Sequence, residues 1–193
     1  DESTPPLDWC QLRLPTVTMR SEGAGGETSA QIESRMVAAS ADGYKNWAVV
    51  INAGANDINN DVPVATIMGN IADMVAHIGH GRYLVRTPLR NTGWSAARNN
   101  AHAELVADIQ STYGGQVVPV YETMADDYKD DAIHPNSQGY QIIADLIADA
   151  LESQGWLADR HTAGTATPDA DAWAAHSDTS WTSNDTGQRR SAD

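Results

Sequence analysis

The segment WAVVINAGANDINN, residues 47–60, changes character halfway along its length. Trp47 to Ala53 is an apolar run of strand length, and Gly54, Asn56 and Asp57 follow it at once. A run of that kind bounded by glycine and polar residues reads as a buried strand. Small and polar residues placed where such a strand leaves its sheet suit a loop that presents side chains to a ligand.

Outward from this point, short apolar runs alternate with amphipathic stretches. Strands are expected at 15–20 (PTVTMR), 47–53, 82–88 (RYLVRTP) and 115–121 (GQVVPVY). Helices are expected at 29–40, 62–79, 95–114 and 135–155. The first has Thr28 and Gln31 at capping-box spacing, the second an apolar stripe of Ile67, Ile71, Met74 and Val75, and the last an inner face of Ile143, Leu146, Ile147, Ala150 and Leu151. Strict alternation of this kind predicts an α/β fold, a parallel sheet covered on both faces. Ligand sites in such sheets lie beyond the carboxyl ends of the strands. The loops GAGGETS (23–29), AGANDINN (53–60) and DDAIHPNS (130–137) should therefore open on one side. Residues 1–156 read as one domain, and 157–193, rich in Ala, Thr, Ser and Asp, as a tail whose Trp173 and Trp181 could dock on a protein partner.

The chain of 193 residues carries 26 acidic against 12 basic side chains, a formal charge of −14. Such a surface repels phosphate backbones, so nucleic acid is excluded as a partner. No stretch approaches the about 20 apolar residues of a membrane span, and the start, DESTPPLDWC, lacks a secretory signal, which leaves the compartment open. The single cysteine, Cys10, excludes an internal disulfide and reads as a small buried residue. His77 and His80 lack a third ligand nearby and read as surface histidines, so no metal and no other cofactor is expected.

In DDAIHP the spacing lets the Asp131 carboxylate reach the His134 imidazole across a turn, which would fix its tautomer and stabilise the imidazolium formed when Nε2 takes a proton. Gly26 offers an unobstructed backbone N–H and Asn56 a carboxamide N–H, two neutral donors suited to an oxyanion. Asp57 and Trp94 are candidate substrate contacts, with Arg90 and Asn91 on the same side of the sheet.

GAGGETSAQI, NAGAND and DDAIHPNSQGY, in this order and at these separations, resemble three blocks of the SGNH (GDSL-type) hydrolases. The resemblance spans roughly residues 9–155 and implies a flavodoxin-like three-layer fold with a five-stranded parallel sheet ordered 2-1-3-4-5. It implies a serine esterase acting without a metal on small-molecule, glycan or lipid esters. His134 would be the general base, Asp131 its orienting acid, and Gly26 and Asn56 the oxyanion donors.

The chain departs from that pattern in lacking Gly-Asp-Ser, the family's strand end with the nucleophile. In the implied order that strand lies between its neighbours. Its omission would hold them about 10 Å apart and leave backbone groups orphaned at about 1–3 kcal/mol each. Four alternatives stand open: a serine outside this sequence, a non-catalytic binding or assembly module, Ser3 in DEST as nucleophile, or the tail segment 171–181 with Ser177, Thr179 or Ser180.

Overall fold

Val49, Val50, Ile51 and Asn52 pair in parallel register with Tyr83, Leu84, Val85 and Arg86, and Val85 and Arg86 pair in turn with Val117 and Val118. These segments are β1 (Val49–Asn52), β2 (Tyr83–Arg86) and β3 (Val117–Val118), a three-stranded parallel sheet in sequence order. The structure is a computed structural model describing residues 6–39, 43–157, 181–183 and 189–191.

Alternation of side chains along a strand sends successive residues to opposite faces. On one face Ile51 and Val85, with Val49, Tyr83 and Val117, pack against α2 (Ser29–Ala38), α4 (Val64–Ile78) and α5 (Ala96–Tyr113). Ile67, Ile71 and Met74 of α4 are fully buried there, each worth about 1.5–3 kcal/mol of transfer free energy. On the other face Leu84 and Val118, with Val50, meet Ile143, Ala148 and Leu151 of α7 (Ser137–Ser153) and Leu14, just past α1 (Pro6–Arg13). Two short helices leave the strand ends, α3 (Ala55–Asn59) after β1 and α6 (Val120–Thr123) after β3. The remaining elements, β4 (Trp181–Ser183) and β5 (Arg189–Ser191), form a separate antiparallel pair.

The expected α/β layering and the expected helices are present. Gln31 Oε1 accepts the Thr28 N–H at 2.9 Å at the start of α2, and the Ser95 and Asn136 side chains cap α5 and α7. The α7 stripe centres on Ile143, Ala144, Ala148 and Leu151, and Leu146, Ile147 and Ala150 flank it half-buried.

Two strand expectations need correction. Residues 15–20 form a turn and an irregular extended segment, not a strand. Among the described residues β1 pairs on one edge only, with β2, and no ladder bonds join residues 15–20 to its other edge. The strand expected over 115–121 contracts to Val117–Val118. Pro119 has no N–H to continue the pairing, and the chain turns into α6 instead. Among the described residues the parallel sheet therefore has three strands, where the family resemblance implied five.

Gly54 sets the turn from β1 into α3. Its φ is +109°, and a Cβ there would lie 2.6 Å from Leu105 Cδ2 of α5. Both the left-handed backbone and the close approach exclude a side chain. Gly54→Ala should lower stability by about 1–3 kcal/mol, read as a fall in the urea midpoint; an unchanged midpoint would contradict this packing.

Candidate active site

Gly26 stands at φ +81° in the turn before α2, exposed and with no heavy atom near its missing side chain. Asn56, in the first turn of α3, donates from Nδ2 to the Glu27 carbonyl at 2.9 Å. The two expected oxyanion residues thus belong to one tied pair of loops, and a carboxamide has a second N–H to offer. Glu27 is held by Arg35 of α2 (Nη2–Oε2 2.7 Å), a bond that lowers the pKa of the Glu27 carboxyl.

Asp57 departs from its expected role as a substrate contact. It is 1% exposed, and both of its oxygens are engaged within the fold. Oδ2 accepts the Ser29 N–H at 2.8 Å and Oδ1 the Ser29 hydroxyl at 2.6 Å. Asn70 of α4 donates to the same hydroxyl oxygen at 2.8 Å. A carboxylate at the first residue of α2 satisfies an otherwise orphaned helix N–H and suits the positive end of the helix dipole. Asp57 therefore positions the loops and has no free oxygen for a ligand.

The His134 loop is built around one carboxylate. Asp131 Oδ1 accepts the N–H groups of Ile133 and His134, both at 2.7 Å, and Oδ2 lies 2.8 Å from His134 Nδ1. An ionised carboxylate only accepts, so Nδ1 carries the hydrogen and Nε2 presents its lone pair. The His134 bond, then the backbone donors, hold the Asp131 carboxyl well below the usual carboxylate range. The loop is stapled below by Asp130 N–H to His134 O at 2.9 Å and by Asn136 N–H to Tyr128 O at 2.9 Å. The His134 side chain is 63% exposed, and Nε2 has no hydrogen bond among the described residues.

The loop after β2 bridges the two halves. Thr92 donates its N–H to Ala132 O at 3.0 Å, and the Trp94 indole N–H donates to Asn59 of α3. Trp94 is 7% exposed, and its ring lies 5.1 Å from that of His102. It braces the loops from within, through its ring and its N–H, and only a small part of it reaches the surface. His102, left unassigned from sequence, is buried with Nε2 2.8 Å from Pro88 O, and burial pushes its pKa down. The Asp131–His134 and Gly26–Asn56 pairs thus share the carboxyl side of the sheet through the 91–94 loop, and no direct hydrogen bond joins them among the described residues.

Beside the His134 loop lies a cleft of about 300 Å³ walled by Leu89, Arg90, Glu122, Met124, Asp126 and Lys129. Lys129 is 2% exposed at its side chain and donates to Arg90 O at 2.8 Å and Asp126 Oδ1 at 2.9 Å. Arg90 closes the cluster by pairing with Asp126. Sequence reading missed Glu122, Asp126 and Lys129; the i, i+3 spacing of the last two was the one available signal. Among the described residues no cluster of three or more His, Cys, Asp or Glu could hold a metal ion, and no helix is long and apolar enough to cross a membrane. His77 and His80 face backbone carbonyls, Ala39 O at 3.2 Å and Tyr44 O at 2.8 Å. Ser3, Ser177, Thr179 and Ser180 lie outside the described residues.

Comparison with solved structures returns hydrolases of related build. A Bacteroides fragilis protein taken to be an acylhydrolase is 28% identical, aligned over 67% of this chain and 72% of that one, with a TM-score of 0.56. TesA is 21% identical over 79% of this chain and 90% of its own, with a TM-score of 0.62. The acetylxylan esterase Axe2 of Geobacillus stearothermophilus is 16% identical over 76% and 78%, with a TM-score of 0.58. At the last two identities the likeness speaks to the fold. No curated protein matches the chain. A family model matches residues 5–142, a span holding α1, the whole three-stranded sheet and both candidate loop pairs, and the chain belongs to the GDSL-like Lipase/Acylhydrolase family.

Proposed function

We propose that this protein is a serine-type ester hydrolase, on the strength of one observation above the rest: a preorganised Asp131–His134 pair with a free, solvent-facing Nε2. A serine hydroxyl outside the described residues attacks the ester carbonyl as Nε2 takes its proton. The tetrahedral oxyanion is met by the Gly26 N–H and the second Asn56 N–H. Collapse of the intermediate returns the proton from the imidazolium to the leaving alcohol, and water repeats the sequence to free the acid. Asp131 fixes the ring and balances its transient charge. Ser29, the serine nearest Gly26 in sequence, is fully buried and bound to Asp57 and Asn70, which suits a structural role.

We take the cleft walled by Arg90, Glu122, Asp126 and Lys129 as the acyl site, and it favours short acyl groups on polar alcohols. A long acyl chain gains about 0.8 kcal/mol per methylene only against apolar walls. Here Arg90, Glu122, Asp126 and Lys129 dominate the lining. The acetylxylan esterase among the structural relatives agrees with this class of substrate.

In the full natural polypeptide His134→Ala should reduce kcat/KM for p-nitrophenyl acetate by about 10³-fold or more, and a fluorophosphonate should label a serine. Unchanged turnover, or no labelling, would point to a non-catalytic module that kept the loops. Loss of the Asn56 donor in Asn56→Ala should lower kcat by about 10²–10³-fold with little change in KM. Acetate should be hydrolysed at least about tenfold faster than palmitate esters. The lowered Asp131 pKa also has a thermodynamic signature. Its stabilisation is complete above the unfolded carboxylate value of about 3.9 and is lost as pH falls towards the lower folded value. The melting temperature of wild type relative to Asp131→Asn should hold constant above about pH 5 and shrink below about pH 4.

A further inference from the structure

Lys129 carries an ammonium into the wall of the cleft of about 300 Å³, with 2% of its side chain exposed. The chain on either side fixes it there. A single 3-10 turn, Asp126–Tyr128, leads into an antiparallel bridge between Lys129 and Pro135, the neck of the loop that bears Asp131 and His134. Gly139 of α7 lets that neck settle onto the helix: a Cβ there would lie 2.3 Å from Tyr128 O and 2.9 Å from Pro135 Cβ. The lysine is thus anchored at its root, and its amine is anchored at the tip by Arg90 O at 2.8 Å and Asp126 Oδ1 at 2.9 Å.

A protonated amine has three N–H donors and no acceptor. Two of them are used here, and among the described residues the third has no acceptor. The other charged groups on the cleft are placed differently. Glu122 turns its carboxylate oxygens to the Thr87 hydroxyl at 3.2 Å and to Gln110. Asp126 receives both cations, and the Lys129 bond, first among its contacts, holds its carboxyl below the usual carboxylate range. Arg90 is 43% exposed, so water serves its spare N–H groups whatever fills the cleft. The spare Lys129 N–H is shut off from bulk solvent, and the chemistry of the group occupying the cleft decides whether it has a partner.

We infer that Lys129 sets acyl specificity: its third N–H donates to a neutral oxygen within a short acyl group, so that alkoxyacyl esters are preferred to plain alkyl esters of equal length. This rests on the ester-hydrolase reading and on the cleft as the acyl site. An alkyl group in the cleft displaces water and leaves a buried ammonium N–H orphaned. A site built to donate a hydrogen bond therefore rejects an analogue without the acceptor far more strongly than an apolar pocket tells one methylene from none. The oxygen is neutral because the charges around it cancel, Arg90 and Lys129 against Glu122 and Asp126. An acyl carboxylate would lose its hydration for no net attraction and meet two like charges. Leu89, Tyr121 and Met124 complete the wall and receive the carbon atoms.

The test compares p-nitrophenyl methoxyacetate with p-nitrophenyl butyrate, acyl groups of equal length that differ by an ether oxygen in place of a methylene. In the full natural polypeptide the ratio of their kcat/KM values, divided by the ratio of their hydroxide-catalysed rates, should be about tenfold or more. In Lys129→Met both esters should slow, because the tie to Arg90 O is lost, and the normalised ratio should fall to about one. The p-nitrophenyl hemisuccinate, normalised alike, should be slower than the methoxyacetate. A wild-type ratio near unity, a ratio unchanged in Lys129→Met, or hemisuccinate as the fastest substrate would each overturn the assignment while the hydrolase reading stands. NMR titration of wild type with methoxyacetamide and butyramide makes the same comparison without catalysis, and decides the matter if Lys129→Met does not fold. Methoxyacetamide should bind about tenfold tighter or better, with shifts at residues 121–129; equal binding, or shifts elsewhere, would overturn the assignment. Discrimination between the amides with no turnover of any ester would remove the hydrolase reading and leave recognition by Lys129 in place.

Discussion

The buried Asp57 carboxylate, closed on the backbone and hydroxyl of Ser29, is the contact on which the geometry of the site rests. It fastens the start of α2 to the loop leaving β1, and Asn70 brings α4 into the same knot. A carboxylate at 1% exposure is tolerable only because every donor it needs is present. With the knot tied, Asn56 is delivered to the Glu27 carbonyl and Gly26 is held beside it. The placement of Gly26 and Asn56 is therefore a consequence of a structural hydrogen-bond network, not of a pair of independently flexible loops.

The Asp131–His134 pair is arranged differently. Asp131 and His134 are both exposed, and their order comes from a short loop folded on its own carboxylate. Three donors converge on that carboxylate at 2.7–2.8 Å, so ring orientation needs no burial. An exposed pair held this way leaves Nε2 without a hydrogen bond among the described residues. The 91–94 loop supplies the coupling between halves, through Thr92 on one side and Trp94 on the other. Trp94 works as a strut because its ring is covered by His102, and His102 is covered in turn by Tyr121 at 4.9 Å.

β1 is a strand with one neighbour among the described residues, and the segment around residue 20 lies across a cleft from it without ladder bonds. Arg86, at the end of β2, is 9% exposed, and its Nε has no hydrogen-bond partner among the described residues.

Local chemistry explains what the sequence by itself determined. Alternating periodicity located the helices and the central strands, the Asp131-to-His134 spacing foretold a hydrogen bond because three residues span one turn, and Thr28 with Gln31 foretold a cap. Family membership was legible in three loop blocks for the same reason: each is short and its pattern lies in adjacent residues. Tertiary structure decided what depends on partners distant in the chain. Asp57 reads as a ligand contact until Ser29, 28 residues away, occupies it, and Trp94 reads as a pocket wall until Asn59, 35 residues away, takes its N–H. Residues 15–20 carry strand-forming side chains, but a strand exists only where a neighbour accepts its backbone hydrogen bonds, and that neighbour is a property of the assembled sheet.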